Sequence, residues 1–163
     1  MLVVPSWPML SVVVLSLACA TQPQVNDGAA GPGIDSLNAR ITQAYRAHDP
    51  RAYATLYTDS AVFEWPAFNT VRGPVALASM AKSNWTGLKD MDLKLMVANR
   101  RISAAGATEF GAFEQSWNDS SGTRMTEFGR YVSYVVKQPD GLWRMDRFFG
   151  FEDSTRKAPA ATR

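Results

Sequence analysis

The chain has 163 residues, 46% of them hydrophobic and 20% charged, a composition that supplies one ordinary globular core. A formal net charge of +2 without any basic run leaves no electrostatic footprint for nucleic acid. The single cysteine excludes an intramolecular disulfide, and the single histidine excludes any site built on two.

Residues 1–26 carry no charged side chain, and residues 9–18 form an apolar run. About ten residues cannot cross a bilayer that needs roughly 20, but they suit the apolar region of a signal peptide. Ala18-Cys19-Ala20 supplies a small-x-small cleavage pattern, so residues 1–20 are expected to be removed before Thr21. The basic start usual for such a leader is missing. Ser16-Leu17-Ala18-Cys19 also resembles a bacterial lipobox, in which Cys19 would carry a lipid. That lipid is the one membrane attachment expected. Either route exports the protein to the periplasm, the outer membrane or the medium, and leaves its fold to be held by packing alone.

Residues 21–33 are rich in Gly, Ala, Pro, Gln and Asn and read as a flexible linker. The folded domain is expected over 34–152. Ile34, Leu37, Ile41, Ala44 and Tyr45 recur at helical spacing, which predicts a helix over 35–47. Asp49-Pro50 then caps and opens a second helix over 50–57 that would bury Tyr53, Leu56 and Tyr57. Thr58-Asp59-Ser60 reads as a turn, 61–65 as a short strand ended by Pro66, and Val71-Arg72 as its hairpin arm. Gly73-Pro74 starts a third helix, 74–85, with Val75, Ala78, Ala81 and Trp85 toward the core. Strands follow over 91–103, 107–117, 124–137 and 142–151, separated by turns at Ala105-Gly106, Asp119–Gly122 and Asp140-Gly141. Strands this long accommodate bulges that curve a sheet. Residues 153–163 read as a disordered tail.

Three helical segments, a short strand pair between the second and third, and a four-strand meander form an order that resembles the nuclear transport factor 2-like superfamily. Its local echoes are Leu56-Tyr57-Thr58-Asp59-Ser60-Ala61-Val62, Arg72-Gly73-Pro74, Gly129-Arg130-Tyr131 and Asp140-Gly141-Leu142-Trp143-Arg144-Met145. The resemblance implies an α+β fold: a cone-shaped half-barrel with three N-terminal helices packed in the concave face of a curved, mostly antiparallel sheet. It implies kinship with ketosteroid isomerases and SnoaL-like polyketide cyclases, and a homodimer through the sheet. The isomerases of that superfamily use a Tyr and two carboxylates facing the pocket. Ile41, Trp65 and Ser133 stand at those places here, so that reaction is not expected. A dehydratase needing paired histidines is excluded because His48 is alone.

The remaining candidates come from the residues themselves. Glu64, Glu114 and Asp146 could transfer a proton, assisted by Arg147 or Tyr131. If Trp65 points inward, alternation turns Glu64 away unless a bulge intervenes. Alternation in the last strand groups Trp143, Met145, Arg147 and Phe149, which makes Arg147 a cation in an aromatic pocket, an Arg at the rim, or a partner of Glu114 or Glu127. The expected pocket comprises Ile41, Tyr45, Trp65, Trp85, Trp117, Tyr131, Ser133, Arg147 and Phe149, in a chain that also offers Phe68, Phe128 and Phe148. The expected partner is a small apolar or aromatic molecule. No metal, cofactor or nucleic acid is expected. Three functions follow: a ligand-binding module, a SnoaL-like isomerase, cyclase or dehydratase, or a dimeric interaction domain with a vestigial pocket.

Overall fold

In the computed structural model, residues 27–67 and 69–158 are described, which leaves the leader, Cys19 and Phe68 outside the described residues. The elements are α1 (Asp27–Arg46), α2 (Pro50–Ala54), β1 (Tyr57–Glu64), β2 (Val71–Arg72), α3 (Gly73–Trp85), β3 (Lys89–Ser103), β4 (Gly106–Asn118), β5 (Arg124–Lys137) and β6 (Trp143–Lys157). One sheet holds all six strands in the order β2-β1-β6-β5-β4-β3. Every neighbouring pair is antiparallel except β1 with β6. The fold is α+β, with three helices against a curved, unclosed sheet.

The stripe on α1 drives its docking. Ile34, Leu37, Ile41, Ala44 and Tyr45 are all buried, and each large apolar side chain removed from water contributes roughly 1.5–3 kcal/mol. Asp49 caps α2, its Oδ1 accepting from Arg51 N at 3.0 Å and Ala52 N at 2.9 Å. That arrangement satisfies two orphan donors of the first turn.

Residues 27–33 are helix rather than linker, and tertiary contacts explain why. The Trp143 ring packs on Gly33, where a Cβ would stand 2.6 Å from Trp143 Cδ1. The Arg100 guanidinium donates to the Gly31 carbonyl at 3.3 Å and to Asp35 Oδ1 at 2.5 Å. Such contacts outweigh the poor helix propensity of Gly and Pro32. The second helix stops at Ala54, and Tyr57 to Ser60 belong to β1. There Thr58 and Ser60 donate to Asp146 Oδ1 at 2.6 and 3.2 Å, fastening the segment to β6. On α3 the buried residues are Leu77 and Ala81, while Val75 is 84% exposed and does not face the core. Residues 153–157 extend β6 rather than fraying. Ser154–Lys157 pair with Met125–Phe128, and Asp153, at the register shift, accepts from Arg130 at 2.7–3.1 Å.

The curvature has identifiable causes. Register shifts interrupt the β3–β4 pairing between Val97 and Asn99, and the β5–β6 pairing between Phe128 and Gly129 and between Tyr134 and Val135. Bulges of this kind bend the strand that carries them. Three glycines on the concave face add to this. A Cβ at Gly111 would lie 2.6 Å from Tyr131 Cε1, one at Gly129 would overlap the Phe113 ring, and one at Gly150 would overlap the Trp65 indole. An aromatic ring therefore covers each glycine, which lets the sheet bend inward without exposing backbone. On the convex face Phe110, Val132 and Phe149 form a row across β4, β5 and β6, with Phe110 and Phe149 exposed.

Candidate functional site

Between the helices and the concave face lies a cavity of about 380 Å³. Helix α1 supplies Asn38, Ile41 and Tyr45, α2 and β1 supply Tyr53, Tyr57 and Phe63, and α3 supplies Met80, Asn84 and Trp85. Trp65 follows β1. The sheet contributes Leu93 and Leu95 from β3, Phe113, Gln115 and Trp117 from β4, Glu127 and Tyr131 from β5, and Met145 and Phe148 from β6.

The rings are ordered into a wall. Phe148 stacks between Phe63, at 5.1 Å and 9° between planes, and Tyr131, at 5.8 Å and 13°. Trp65 stacks beyond Phe63 at 6.2 Å and tilts against Phe113 at 5.4 Å. On the helix side Trp85 presents edges to Tyr45 and Tyr53, each at 5.3 Å. These contacts make one continuous aromatic and apolar wall. The Tyr53 and Tyr57 hydroxyls are 2.6 Å apart. Burial pushes Tyr53 up to about 12 against the opposing hydrogen bond from Tyr57, so both remain phenols.

Glu127 is the carboxylate that faces this space. It is 9% exposed and lines the cavity, with Gln115 Nε2 donating to its Oε1 at 3.0 Å. Burial first, and the Glu152 carboxylate second, push Glu127 up to about 7, against the hydrogen bond from Gln115. A carboxyl poised there accepts and returns a proton near neutral pH. The effect reaches Tyr45 as well, whose hydroxyl is raised first by burial and then by the charge of Glu127.

A second polar group sits deeper. Glu109 is wholly buried and accepts from Asn38 Nδ2 at 3.0 and 3.3 Å, and from Arg100 Nε at 2.7 Å and Nη2 at 2.6 Å. This pairing offsets the cost of burying the charge. Around it, Asn38 Oδ1, the Tyr131 hydroxyl and Ser133 Oγ are buried without a hydrogen-bond partner. Burial, then the Glu109 charge, holds the Tyr131 hydroxyl above its ordinary value, so it stays protonated. Among the described residues no group of three or more His, Cys, Asp or Glu side chains is placed to hold a metal ion.

Of the residues expected at the pocket, Ile41, Tyr45, Trp65, Trp85, Trp117 and Tyr131 line it. Ser133 lies deeper, wholly buried, and opposite Glu109 in the β4–β5 pairing. Arg147 and Phe149 do not face the cavity. Val135 pairs with Met145 while Tyr134 pairs with Arg147, so Asp146 is a bulge residue and the alternation of β6 restarts after it. Phe148, not Arg147, therefore follows Met145 inward. The Arg147 guanidinium binds the Asp146 carboxylate at 2.7 Å and the Ser60 carbonyl at 3.1 Å, rather than Glu114 or Glu127.

None of the carboxylates proposed from sequence faces the cavity. Glu64 accepts from Thr70 Oγ1 at 2.9 and 3.0 Å, Glu114 pairs with Lys94 at 2.8 Å, and Asp146 is engaged by Thr58, Ser60 and Arg147. Gln115, Asn38 and Glu109 are not among the sequence candidates, and Glu127 enters there only as a possible partner of Arg147. For Glu127 a signal existed: if Tyr131 and Ser133 share an inward face, two further steps of two reach Gly129 and Glu127.

A model of the SnoaL-like domain family matches residues 32–148. A comparison with proteins of curated function found no match. Solved structures share the fold at low identity. A ketosteroid isomerase-like protein from Erwinia carotovora atroseptica SCRI1043 is 20% identical, with a TM-score of 0.67 over 78% of this chain and 98% of that one. The hexachlorocyclohexane dehydrochlorinase LinA-type3 from Novosphingobium barchaimii LL02 is 17% identical, with a TM-score of 0.69 over 81% and 92%. A conserved protein from Planctomyces limnophilus DSM 3776 is 18% identical, with a TM-score of 0.69 over 80% and 98%.

Proposed function

The chain belongs to the SnoaL-like domain family, and from that premise we propose that its cone binds a flat apolar or aromatic small molecule and moves a proton on it through Glu127. The observation that carries this reading is a carboxyl raised to about 7 at the wall of an aromatic cavity. The neutral form enters an apolar space readily, and its conjugate base is basic enough to abstract a proton from activated carbon. Isomerisation, cyclisation and elimination all begin with such a step. Two of the similar structures are named differently, one as a ketosteroid isomerase-like protein and one as a dehydrochlorinase, so the fold alone selects no reaction.

The test is ligand retention followed by isotope exchange. Purified from its own host and examined by native mass spectrometry, the protein is expected to carry a small molecule. Solvent deuterium is expected to enter that molecule with the parent protein and not with Glu127→Gln. Equal uptake with both proteins would leave a binding module and remove Glu127 from the chemistry. Export is also proposed, on the apolar run and the Ala18-Cys19-Ala20 pattern. It predicts a mature chain beginning at Thr21 or at lipidated Cys19, and intact Met1 in cytoplasmic protein would count against it.

A further inference from the structure

The proposed function leaves two buried polar atoms of the cavity lining unused, and their hydrogen-bond inventory is unbalanced in a specific way. Asn38 is about nine-tenths buried and Tyr131 nearly wholly so, and both line the cavity. The orientation of the Asn38 amide is fixed by chemistry. Its nitrogen must face Glu109, because an ionised carboxylate accepts and cannot donate. The amide oxygen is therefore the free atom, and it demands a donor. The Tyr131 hydroxyl also lacks a partner. As a phenol it can donate as well as accept.

From this pair we infer that the ligand carries a neutral hydroxyl, alcoholic or phenolic, seated between Asn38 Oδ1 and the Tyr131 hydroxyl. The inference rests on the reading of the cone as a binding site and names the chemistry of its ligand. A hydroxyl donates to Asn38 and accepts from Tyr131 with one oxygen. A ketone or ester serves Tyr131 and strands the amide oxygen, and a hydrocarbon strands both. A carboxylate would place a second anion beside Glu109, whose charge Arg100 already balances. A protonated amine would leave water for a chamber whose one deep carboxylate is taken by that same guanidinium. Each buried group left without its partner costs roughly tenfold or more in affinity.

The geometry also sets the length of the molecule. Glu127 and Tyr131 are four residues apart on one strand, about 13 Å between their Cα positions. The hydroxyl and the carbon that exchanges its proton therefore lie toward opposite ends of the ligand. The rings between them rest on the Phe63, Phe148 and Trp65 wall.

Four flat probes of one skeleton test this: 2-naphthol, 2-acetylnaphthalene, 2-naphthoate and naphthalene. Their Kd values are measured by calorimetry on the parent protein and on Tyr131→Phe, which keeps the ring over Gly111. Parent protein is expected to bind 2-naphthol at least tenfold more tightly than the other three. Tyr131→Phe is expected to weaken 2-naphthol about tenfold and to strengthen naphthalene, which then strands one buried group instead of two. If all four bind the parent equally, or Tyr131→Phe leaves naphthol affinity intact, the hydroxyl inference fails while the cavity reading stands. If none of the four binds, the cavity reading fails first and takes the inference with it. Circular dichroism and a cooperative melt confirm that the variant is folded, and Asn38→Ser, which shortens the amide to a hydroxyl, repeats the comparison from the opposite side.

Discussion

Replacing Glu127 with Gln isolates one charge at the cavity wall. The Gln115 contact can be kept, because the new amide oxygen still accepts from Gln115 Nε2. In the parent protein the folded state holds the Glu127 proton to about pH 7, whereas the unfolded chain releases it near 4.5. The associated stability is therefore complete below pH 4.5 and is lost as the pH rises through 7. A carboxyl displaced that far corresponds to about 3 kcal/mol on full ionisation. Glu127 is 9% exposed but lines a cavity rather than packed core, and discounting for screening brings the expected loss to about 1–2 kcal/mol. Glu127→Gln carries no such loss. Urea denaturation at pH 5 should place the two proteins within about 0.5 kcal/mol of each other, and at pH 8 the variant should be the more stable by about 1–2 kcal/mol. Parallel stability profiles for the two proteins from pH 5 to 8, or a variant weaker at pH 8, would refute the argument that burial raises this carboxyl.

Gly129→Ala should destabilise the domain by about 1–3 kcal/mol in thermal unfolding, because the added methyl overlaps the Phe113 ring and Phe151 backbone. A melting temperature equal to the parent's would show that the ring moves freely. Asp146→Ala removes the acceptor of Thr58, Ser60 and Arg147, and should cost about 1–3 kcal/mol while weakening 2-naphthol, although Asp146 does not line the cavity. Unchanged affinity would detach the bulge from the wall. Arg100→Met leaves Glu109 buried without its cation, an expected loss of about 3–5 kcal/mol in urea denaturation, and a loss below about 1 kcal/mol would refute that pairing as a support of the fold. The exposed Phe110, Phe149 and Phe151 favour a homodimer through the convex face. Light scattering should show Phe149→Lys as a monomer, and a parent protein that is itself monomeric at high concentration would refute that association.

How far the sequence could be read depends on which interactions decide each feature. The α1 stripe, the Asp49 cap and the turns between the four long strands are local signals, and β5 begins and ends where its turn residues place it, at Arg124 and Lys137. The start of α1 was illegible because Trp143 and Arg100, more than sixty residues away, hold Gly31 and Gly33 in the helix. Arg147 was misplaced for a related reason. Strict alternation has no means of anticipating one unpaired residue, and Asp146 bulges because partners on β1 hold it. The carboxylates show the sharpest contrast. Glu64 and Asp146 were singled out by proximity to aromatic or resemblance-bearing segments. Glu127 needed only a consistent count along β5, and Glu109 needed knowledge of Asn38 across the cavity.

The three glycines covered by rings have one more consequence. Phe113, Trp65 and Tyr131 form the wall of the cavity and at the same time shield the points where the sheet folds inward. Trimming any of them to admit a bulkier guest would uncover a glycine and relax the arch, so the gain in room would be returned as a flatter sheet. Met80, Asn84 and Trp85 carry no such double duty, since α3 merely closes the opposite side. Diversification of guest size within this architecture is therefore expected to concentrate on the helical lid, with the sheet side kept as an invariant mould.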